Sequence, residues 1–81
     1  MQRVLRTSYT PIYIQICDLI REKIDSGELL PGNRIWSEHD IMDKFDVSRN
    51  TAQKAIETLV NEGLVSRVQG KGSFISQPKV M

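Results

Sequence analysis

Apolar residues near the middle of the chain recur every three or four positions, which is the period of an amphipathic helix. Their side chains form one stripe that we expect to face the core: Ala52, Ala55, Ile56, Leu59 and Val60. Ser48 can accept a hydrogen bond from a free backbone N–H of the first turn, and Gly63 suits a left-handed cap after the last turn. The pattern predicts a helix over about 49–62.

The opposite face of this helix is polar and rich in hydrogen-bonding side chains. It carries Arg49, Asn50, Gln53, Lys54 and Glu57. Upstream, residues 37–40 read Ser-Glu-His-Asp, which resembles a capping box ahead of an apolar run. We expect a second short helix from about Glu38 to Phe45, joined to the next one by a tight turn at Asp46-Val47.

A third amphipathic segment lies near the N-terminus, where Pro11 suits the first turn of a helix that ends at Ser26-Gly27. Its apolar stripe is Tyr13, Ile16, Cys17, Ile20 and Ile24. Residues 29–33 form a compact turn containing Pro and Gly, and Ile35-Trp36 is expected to form a very short strand.

Two short β-type runs follow the last helix, at residues 64–68 and 73–76, with a Gly-rich turn at 69–72 between them. Three helices followed by a hairpin predict a winged helix-turn-helix. The expected fold class is mainly α with a small β-hairpin (α+β), with a two- or three-stranded wing. Winged helices mostly bind DNA, and the first residues of a recognition helix contact base edges.

Composition indicates one small globular domain: the chain has 81 residues, 40% of them hydrophobic and 26% charged. It lacks a long apolar run and a basic-then-apolar leader, so we expect a cytoplasmic protein without membrane contact. Cys17 is the single cysteine and lies on an apolar stripe. A small buried side chain is favoured there over a redox or metal role.

The net charge of +1 does not indicate a uniformly cationic nucleic-acid binder. The distribution is more informative, because acidic residues concentrate on the first helix, whereas cations occur on the last helix and the wing. Those cations are Arg49, Lys54, Arg67 and Lys71. We therefore predict modest DNA affinity for one copy, with a shallow salt dependence.

An enzymatic function is not expected. Residues 70–73 superficially suggest a phosphate loop, but Val65 and Gly72 stand where that motif needs Gly and Ser or Thr. His39 is the only histidine, and no nucleophile–base pair or metal cluster can be assembled around it. The sequence predicts no catalytic residue, cofactor or metal.

At this point the motifs resemble those of a known family. They are Pro11–Ile16, Gly27–Gly32, Ser37-Glu38, Val47–Thr51, Leu59–Val65 and the wing Gln69–Ile75. Their order and spacing resemble the N-terminal DNA-binding domain of the GntR family of bacterial transcriptional regulators, and the wing is most similar to the HutC-type branch.

The resemblance implies a repressor-type regulator that forms a homodimer on DNA and reads a short palindromic operator. It also implies a C-terminal domain that binds a small-molecule effector. We therefore interpret residues 1–10 as an N-terminal tail, 11–76 as the DNA-binding domain and 77–81 as the start of a linker. A fragment of a longer regulator is favoured over a stand-alone protein, and the effector remains unidentified.

The resemblance also assigns roles to individual residues. Arg49 is expected to donate two hydrogen bonds to guanine in the major groove. Ser48 and Thr51 are expected to hold phosphate oxygens. In the wing, predicted over 69–73, Gly70 lets the backbone approach the minor groove. The remaining predicted DNA-binding residues are Asn50, Gln53, Lys54, Ser37, His39, Gln69 and Lys71.

Four residues depart from the family pattern. Gln53 stands where the family usually has a DNA-contacting arginine, and His39 stands where some members have another. Gln53 could instead read adenine, since its amide can bond that base bidentately. Trp36 replaces the usual proline and is expected to pack over the core edge; Asp46 replaces a turn glycine, and aspartate tolerates the left-handed conformation.

A winged helix can also serve as a protein-interaction or adaptor module, because function depends on the site rather than on the fold. Such a module should present an apolar anchor on the exposed face of its last helix. The face carrying Arg49, Asn50 and Gln53 is polar, and this favours DNA binding.

Overall fold

The structure is a computed structural model that describes residues 9–76; within them, three helices precede a two-stranded antiparallel sheet. The elements are α1 (Ile12–Asp25), α2 (Glu38–Phe45), α3 (Arg49–Asn61), β1 (Val65–Val68) and β2 (Gly72–Ile75). This is the predicted winged helix-turn-helix. The tail predicted over 1–10 and the linker predicted over 77–81 lie outside the described residues, except for positions 9 and 10.

Side-chain caps determine where α2 and α3 begin. The Ser37 hydroxyl accepts a hydrogen bond from the Asp40 N–H at 3.0 Å, and the Asp40 carboxylate accepts one from the Ser37 N–H at 3.0 Å. Asp46 then turns the chain with a left-handed φ of 55°. The Ser48 hydroxyl accepts a hydrogen bond from the Thr51 N–H at 3.2 Å. The predicted capping box, turn and helix start are all confirmed.

The C-terminal end of α3 also follows the prediction to within one residue. The helix ends at Asn61, Glu62 forms the cap, and Gly63 has a φ of 80°. The Leu64 N–H donates to the Leu59 carbonyl at 3.0 Å. A left-handed residue at this position lets the chain reverse into β1.

One apolar core lies between the helices and the sheet, with α3 packed against α1, α2 and β1. Its buried members are Ile16, Cys17, Ile20, Ile35, Ile41, Phe45, Ala52, Ala55, Ile56, Leu59, Val65 and Ile75. Val60, predicted for the core stripe, is only half-buried because it lies at the edge of that cluster. Small residues at 52 and 55 allow the helices to approach closely.

Cys17 has the structural role that its position predicted. Its side chain is fully buried, and the thiol donates to the Ala55 carbonyl oxygen with an Sγ–O distance of 3.2 Å. Burial raises the pKa of the thiol from 9.0 to about 11, because the charged thiolate is poorly solvated there. The thiol is therefore a neutral linker between α1 and α3.

The third strand of the wing begins one residue earlier than predicted and is reduced to one bridge. The sequence predicted Ile35-Trp36, whereas the bridge pairs Arg34 with Phe74. The Ile35 N–H still donates to the Ser73 carbonyl at 2.9 Å. The strand stops there because the chain must leave the sheet to enter the cap of α2.

Trp36 packs over the core edge, as predicted. Its ring meets Phe45 edge to face, with centroids 5.6 Å apart. The Lys44 ammonium lies 5.0 Å from the Trp36 ring centroid, a cation–π arrangement. The aromatic residue thus covers the junction between the loop and α2.

The wing is a tight hairpin whose register runs from Val65 opposite Ile75 to Val68 opposite Gly72. Gly72 has a φ of 118°, and a Cβ at that position would lie 2.9 Å from the Arg34 Nε. Only glycine satisfies both conditions without a shift of neighbouring atoms.

Candidate nucleic-acid interface

A groove of about 400 Å³ lies between the beginning of α2, the first turns of α3 and the wing. It brings together these predicted site residues: Ser37, His39, Arg49, Gln69 and Gly70. The groove exists because the Asp46 turn sets α2 beside α3 while the Gly63 reversal brings the hairpin back toward both helices. The predicted recognition helix and the predicted wing therefore face a common cleft.

Arg49 is the first residue of α3 and is exposed at the edge of this groove. Within residues 9–76, no hydrogen-bond or ion-pair partner is found for its guanidinium. Its five N–H donors are thus available to an external acceptor, and the planar fork matches the guanine O6/N7 edge or a phosphate.

Ser48 and Thr51 form a reciprocal pair at the start of α3. Ser48 Oγ accepts from the Thr51 N–H and donates to Thr51 Oγ1, both at 3.2 Å. The Ser48 hydroxyl hydrogen is therefore engaged internally, whereas the Thr51 hydroxyl hydrogen remains available. Of the two residues, Thr51 is the better placed donor for an external oxygen.

The remaining α3 residues of the predicted site line two neighbouring hollows rather than the groove. Asn50, Gln53 and Lys54 share one hollow with Glu57, and Asn50, Thr51 and Lys54 share the other with the start of α1. The Lys54 ammonium lies 4.9 Å from the centroid of the Tyr13 ring. The structure thus separates Arg49 and Gln53 into adjacent depressions.

His39 lines the groove, whereas Lys71 does not. The His39 side chain is 78% exposed, and its Nε2 is 3.6 Å from the Asp43 carboxylate. Lys71 is exposed in the wing turn, where its N–H donates to the Val68 carbonyl at 2.9 Å, and it does not line the groove.

Two charged residues of the groove, Glu38 and Arg67, were not among the predicted site residues. Arg67 Nη2 lies 3.7 Å from Glu38 Oε2, so these side chains form an ion pair across the groove from α2 to β1. The sequence did signal a cation just before the wing turn. It gave no indication of the carboxylate beside it, because positions 38 and 67 are distant in sequence.

The described part of the chain offers little for other chemistry. Among residues 9–76, no three His, Cys, Asp or Glu side chains come close enough to hold a metal ion. No helix in the same range is long and apolar enough to span a membrane. The donor-rich groove is the most distinctive polar feature of that range.

The family profile described as bacterial regulatory proteins, gntR family, matches residues 12–75. The chain is 41% identical over 75 residues to the HTH-type transcriptional repressor NagR of Bacillus subtilis (strain 168), covering 93% of this chain and 31% of that protein. It is 40% identical over 74 residues to the histidine utilization repressor of Klebsiella aerogenes, covering 91% and 31%. The chain spans about a third of the length of these curated relatives.

Solved structures share the fold at similar identity. The DNA-binding domain of AraR in complex with operator ORX1 superposes with a TM-score of 0.85 at 35% identity, covering 94% of this chain and 96% of that chain. A transcriptional antiterminator from Listeria monocytogenes EGD-e gives a TM-score of 0.90 at 33% identity, covering 98% and 59%. These likenesses confirm the predicted winged-helix fold.

Proposed function

Because the chain belongs to the gntR family of bacterial regulatory proteins, we propose that residues 11–76 are the DNA-binding domain of a transcriptional repressor. In this proposal the domain binds double-stranded DNA sequence-specifically. The first turns of α3 enter the major groove, and the wing turn contacts the minor groove.

One observation carries the proposal: the Arg49 guanidinium at the start of α3 has no hydrogen-bond or ion-pair partner within residues 9–76, and Arg49 lines the groove beside the wing. If this guanidinium were buried, it would need a hydrogen-bond partner, because an unsatisfied buried donor is costly. Here the Arg49 side chain is exposed and lines the groove between α2, α3 and the wing. A duplex offers acceptors for this guanidinium on base edges flanked by phosphates.

Roles for individual residues follow from their positions. Arg49 reads guanine through its free guanidinium, while Thr51 donates its hydroxyl hydrogen to a phosphate and Ser48 holds the helix start. Gly70 allows close backbone approach to the minor groove. Lys71 supplies charge at the wing.

The whole regulator extends this picture. We propose that two copies bind a short palindromic operator, since operator symmetry mirrors protein symmetry. A C-terminal domain outside this chain binds a small-molecule effector, and the regulator acts in the bacterial cytoplasm. Relatives about three times as long, named as repressors, support these expectations.

The test is equilibrium binding of the chain to duplexes selected from a random pool, followed by fluorescence anisotropy at 50 and 150 mM salt. We expect saturable binding that weakens as salt rises, because phosphate contacts release counterions. We also expect selected duplexes to bind more tightly than scrambled ones. If no duplex binds at either salt concentration, the proposal is wrong and the protein-interaction function is favoured.

A further inference from the structure

The groove between α2, α3 and the wing holds two arginines, Arg49 and Arg67, and one carboxylate, Glu38. Arg49 is unpartnered within the described residues, whereas Arg67 lies next to Glu38 at 3.7 Å. The side chains are partly exposed, 41% for Arg67 and 31% for Glu38. An acid in the middle of a surface meant for a polyanion needs an explanation.

The position of this pair relative to a duplex follows from the geometry of DNA. The major and minor grooves are separated by a sugar–phosphate strand. A domain that inserts α3 into the major groove and its wing turn into the minor groove must therefore place the protein surface between α3 and the wing against that strand. Arg67 and Glu38 line the groove between α3 and the wing, where a phosphate of that strand would lie.

We propose that Arg67 binds a phosphate of this strand while remaining paired with Glu38, so that its guanidinium bridges the carboxylate and the phosphate. This inference rests on the proposed function and adds a phosphate site to it. Arg67 has enough donors for both partners, because a guanidinium carries five N–H groups in a fixed plane. The Glu38 carboxylate is thus neutralised by Arg67 and does not oppose the bound phosphate.

The separation of the pair suits this role. Arg67 Nη2 and Glu38 Oε2 are 3.7 Å apart, which is beyond hydrogen-bond distance. The Arg21–Glu62 pair, by contrast, makes two hydrogen bonds of 3.0 and 2.5 Å. Glu38 therefore does not saturate the donors of Arg67, and these donors remain available to an incoming phosphate.

The bridge makes a specific prediction about charge. In the wild-type complex Arg67 neutralises Glu38, so Glu38→Gln should leave the affinity within about 1.5-fold of the wild type, clearly less than the gain expected when Arg67 is absent. Arg67→Gln removes a phosphate contact and also leaves an unneutralised carboxylate beside the DNA. It should weaken binding about tenfold and reduce the slope of log K against log salt by about 0.9 per bound protomer.

The double variant separates this bridge from simple charge counting. If each charge acted alone, Glu38→Gln would have the same effect with and without Arg67. If Arg67 bridges, Glu38→Gln in the Arg67→Gln background should recover about threefold of the lost affinity. Arg67→Lys should retain the salt slope while losing part of the affinity, because lysine keeps the charge but not the fork.

The experiment is anisotropy titration of the wild type and these variants against one selected duplex across salt, with thermal melting to confirm folding. Arg21→Gln is the matched control, since it removes an ion-paired arginine that does not line the groove; its salt slope should equal that of the wild type. Suppose that the wild type binds the duplex but the Arg67→Gln variant has the wild-type salt slope, or that Glu38→Gln changes affinity equally with and without Arg67. Either result would overturn the bridging role of Arg67 and leave the proposed function standing. A wild type that binds no duplex would overturn the proposed function itself.

Discussion

The two ends of α3 differ in how their polar groups are satisfied. At the C-terminal end, Glu62 accepts two hydrogen bonds from Arg21, and Arg21 also pairs with Asp18 at 2.5 Å. At the N-terminal end, Arg49 has no hydrogen-bond or ion-pair partner within residues 9–76. The same helix is therefore tied to α1 at one end and open to an external ligand at the other.

This contrast shows how charge can be informative in a chain with almost no net charge. Arg21 and Arg49 contribute equally to the net charge, but Arg21 forms ion pairs with Asp18 and Glu62 of the same domain. Exposed ion pairs stabilise a domain only slightly, so the acid–base balance near Glu62 mainly removes charge from that surface. Within residues 9–76, the lysines and arginines without an ion pair are Arg34, Lys44, Arg49, Lys54 and Lys71, and three of these lie on α3 or in the wing turn.

The largest expected effect is on stability and tests the closed end of the helix. Leu59 is fully buried beneath that end, so Leu59→Ala should lower the free energy of unfolding by about 2–5 kcal/mol. Urea denaturation measures it. At a temperature where the variant is still folded, its salt slope for DNA should equal the wild-type slope. A stability loss below about 0.5 kcal/mol would contradict the assigned core.

The open end should show the opposite behaviour. Arg49→Ala should reduce discrimination at one base pair per half-site by about 1–3 kcal/mol, because the variant loses the proposed bidentate contact to guanine. Its midpoint of thermal unfolding should stay near that of the wild type, since the side chain has no internal hydrogen bond or ion pair to lose among the described residues. Competition binding with single-base-pair variants of a selected duplex gives the measurement. Unchanged discrimination would assign base reading to another residue.

Cys17 provides a pH test of the packing between α1 and α3. Its pKa is raised from 9.0 to about 11, so the neutral thiol is favoured in the fold. The resulting stabilisation is present below pH 9 and is lost as pH rises toward 11. The stability difference between wild type and Cys17→Ala should shrink by about 2 kcal/mol across that window, as followed by urea unfolding. A constant difference would mean that the thiol titrates normally.

Local patterns predicted most of the fold because each element is defined by nearby residues. The Ser37 and Ser48 caps, the left-handed Asp46 and the reversal at Gly63 all depend on contacts within a few positions. The third strand was displaced because its end depends on competition between the sheet and the α2 cap. That competition is not visible in hydrophobic periodicity.

The candidate site was predictable only in part for the same reason. Helix-start and turn motifs predicted Arg49 and the wing turn as site residues, and the structure places Arg49 and Gly70 at one groove. The Glu38–Arg67 pair joins residues brought together only by tertiary folding. Likewise, the sequence placed Tyr13 on the apolar stripe of α1, whereas the fold also brings the Lys54 ammonium over its ring.

The wing should contribute through charge rather than base reading. Lys71→Ala should weaken binding to all duplexes to a similar extent, by about two- to fivefold, and reduce the salt slope by about 1. The comparison with Arg49→Ala is made on the same panel of duplexes. A sequence-dependent loss for Lys71→Ala would make it a base-reading residue instead.

The smallest effect is expected at the closed end. Glu62→Gln removes one carboxylate from Arg21 but leaves Asp18 as a partner. Both side chains of the Arg21–Glu62 pair are partly exposed, so the free energy of unfolding should fall by no more than about 1 kcal/mol. Glu62 lies at the opposite end of α3 from Arg49. The DNA affinity of the variant should therefore remain within about twofold of the wild type, and its salt slope should equal the wild-type slope. Matched urea and anisotropy titrations measure both. A large gain in DNA affinity would show that the duplex extends to this end, and the division of α3 into a closed and an open end would then fail.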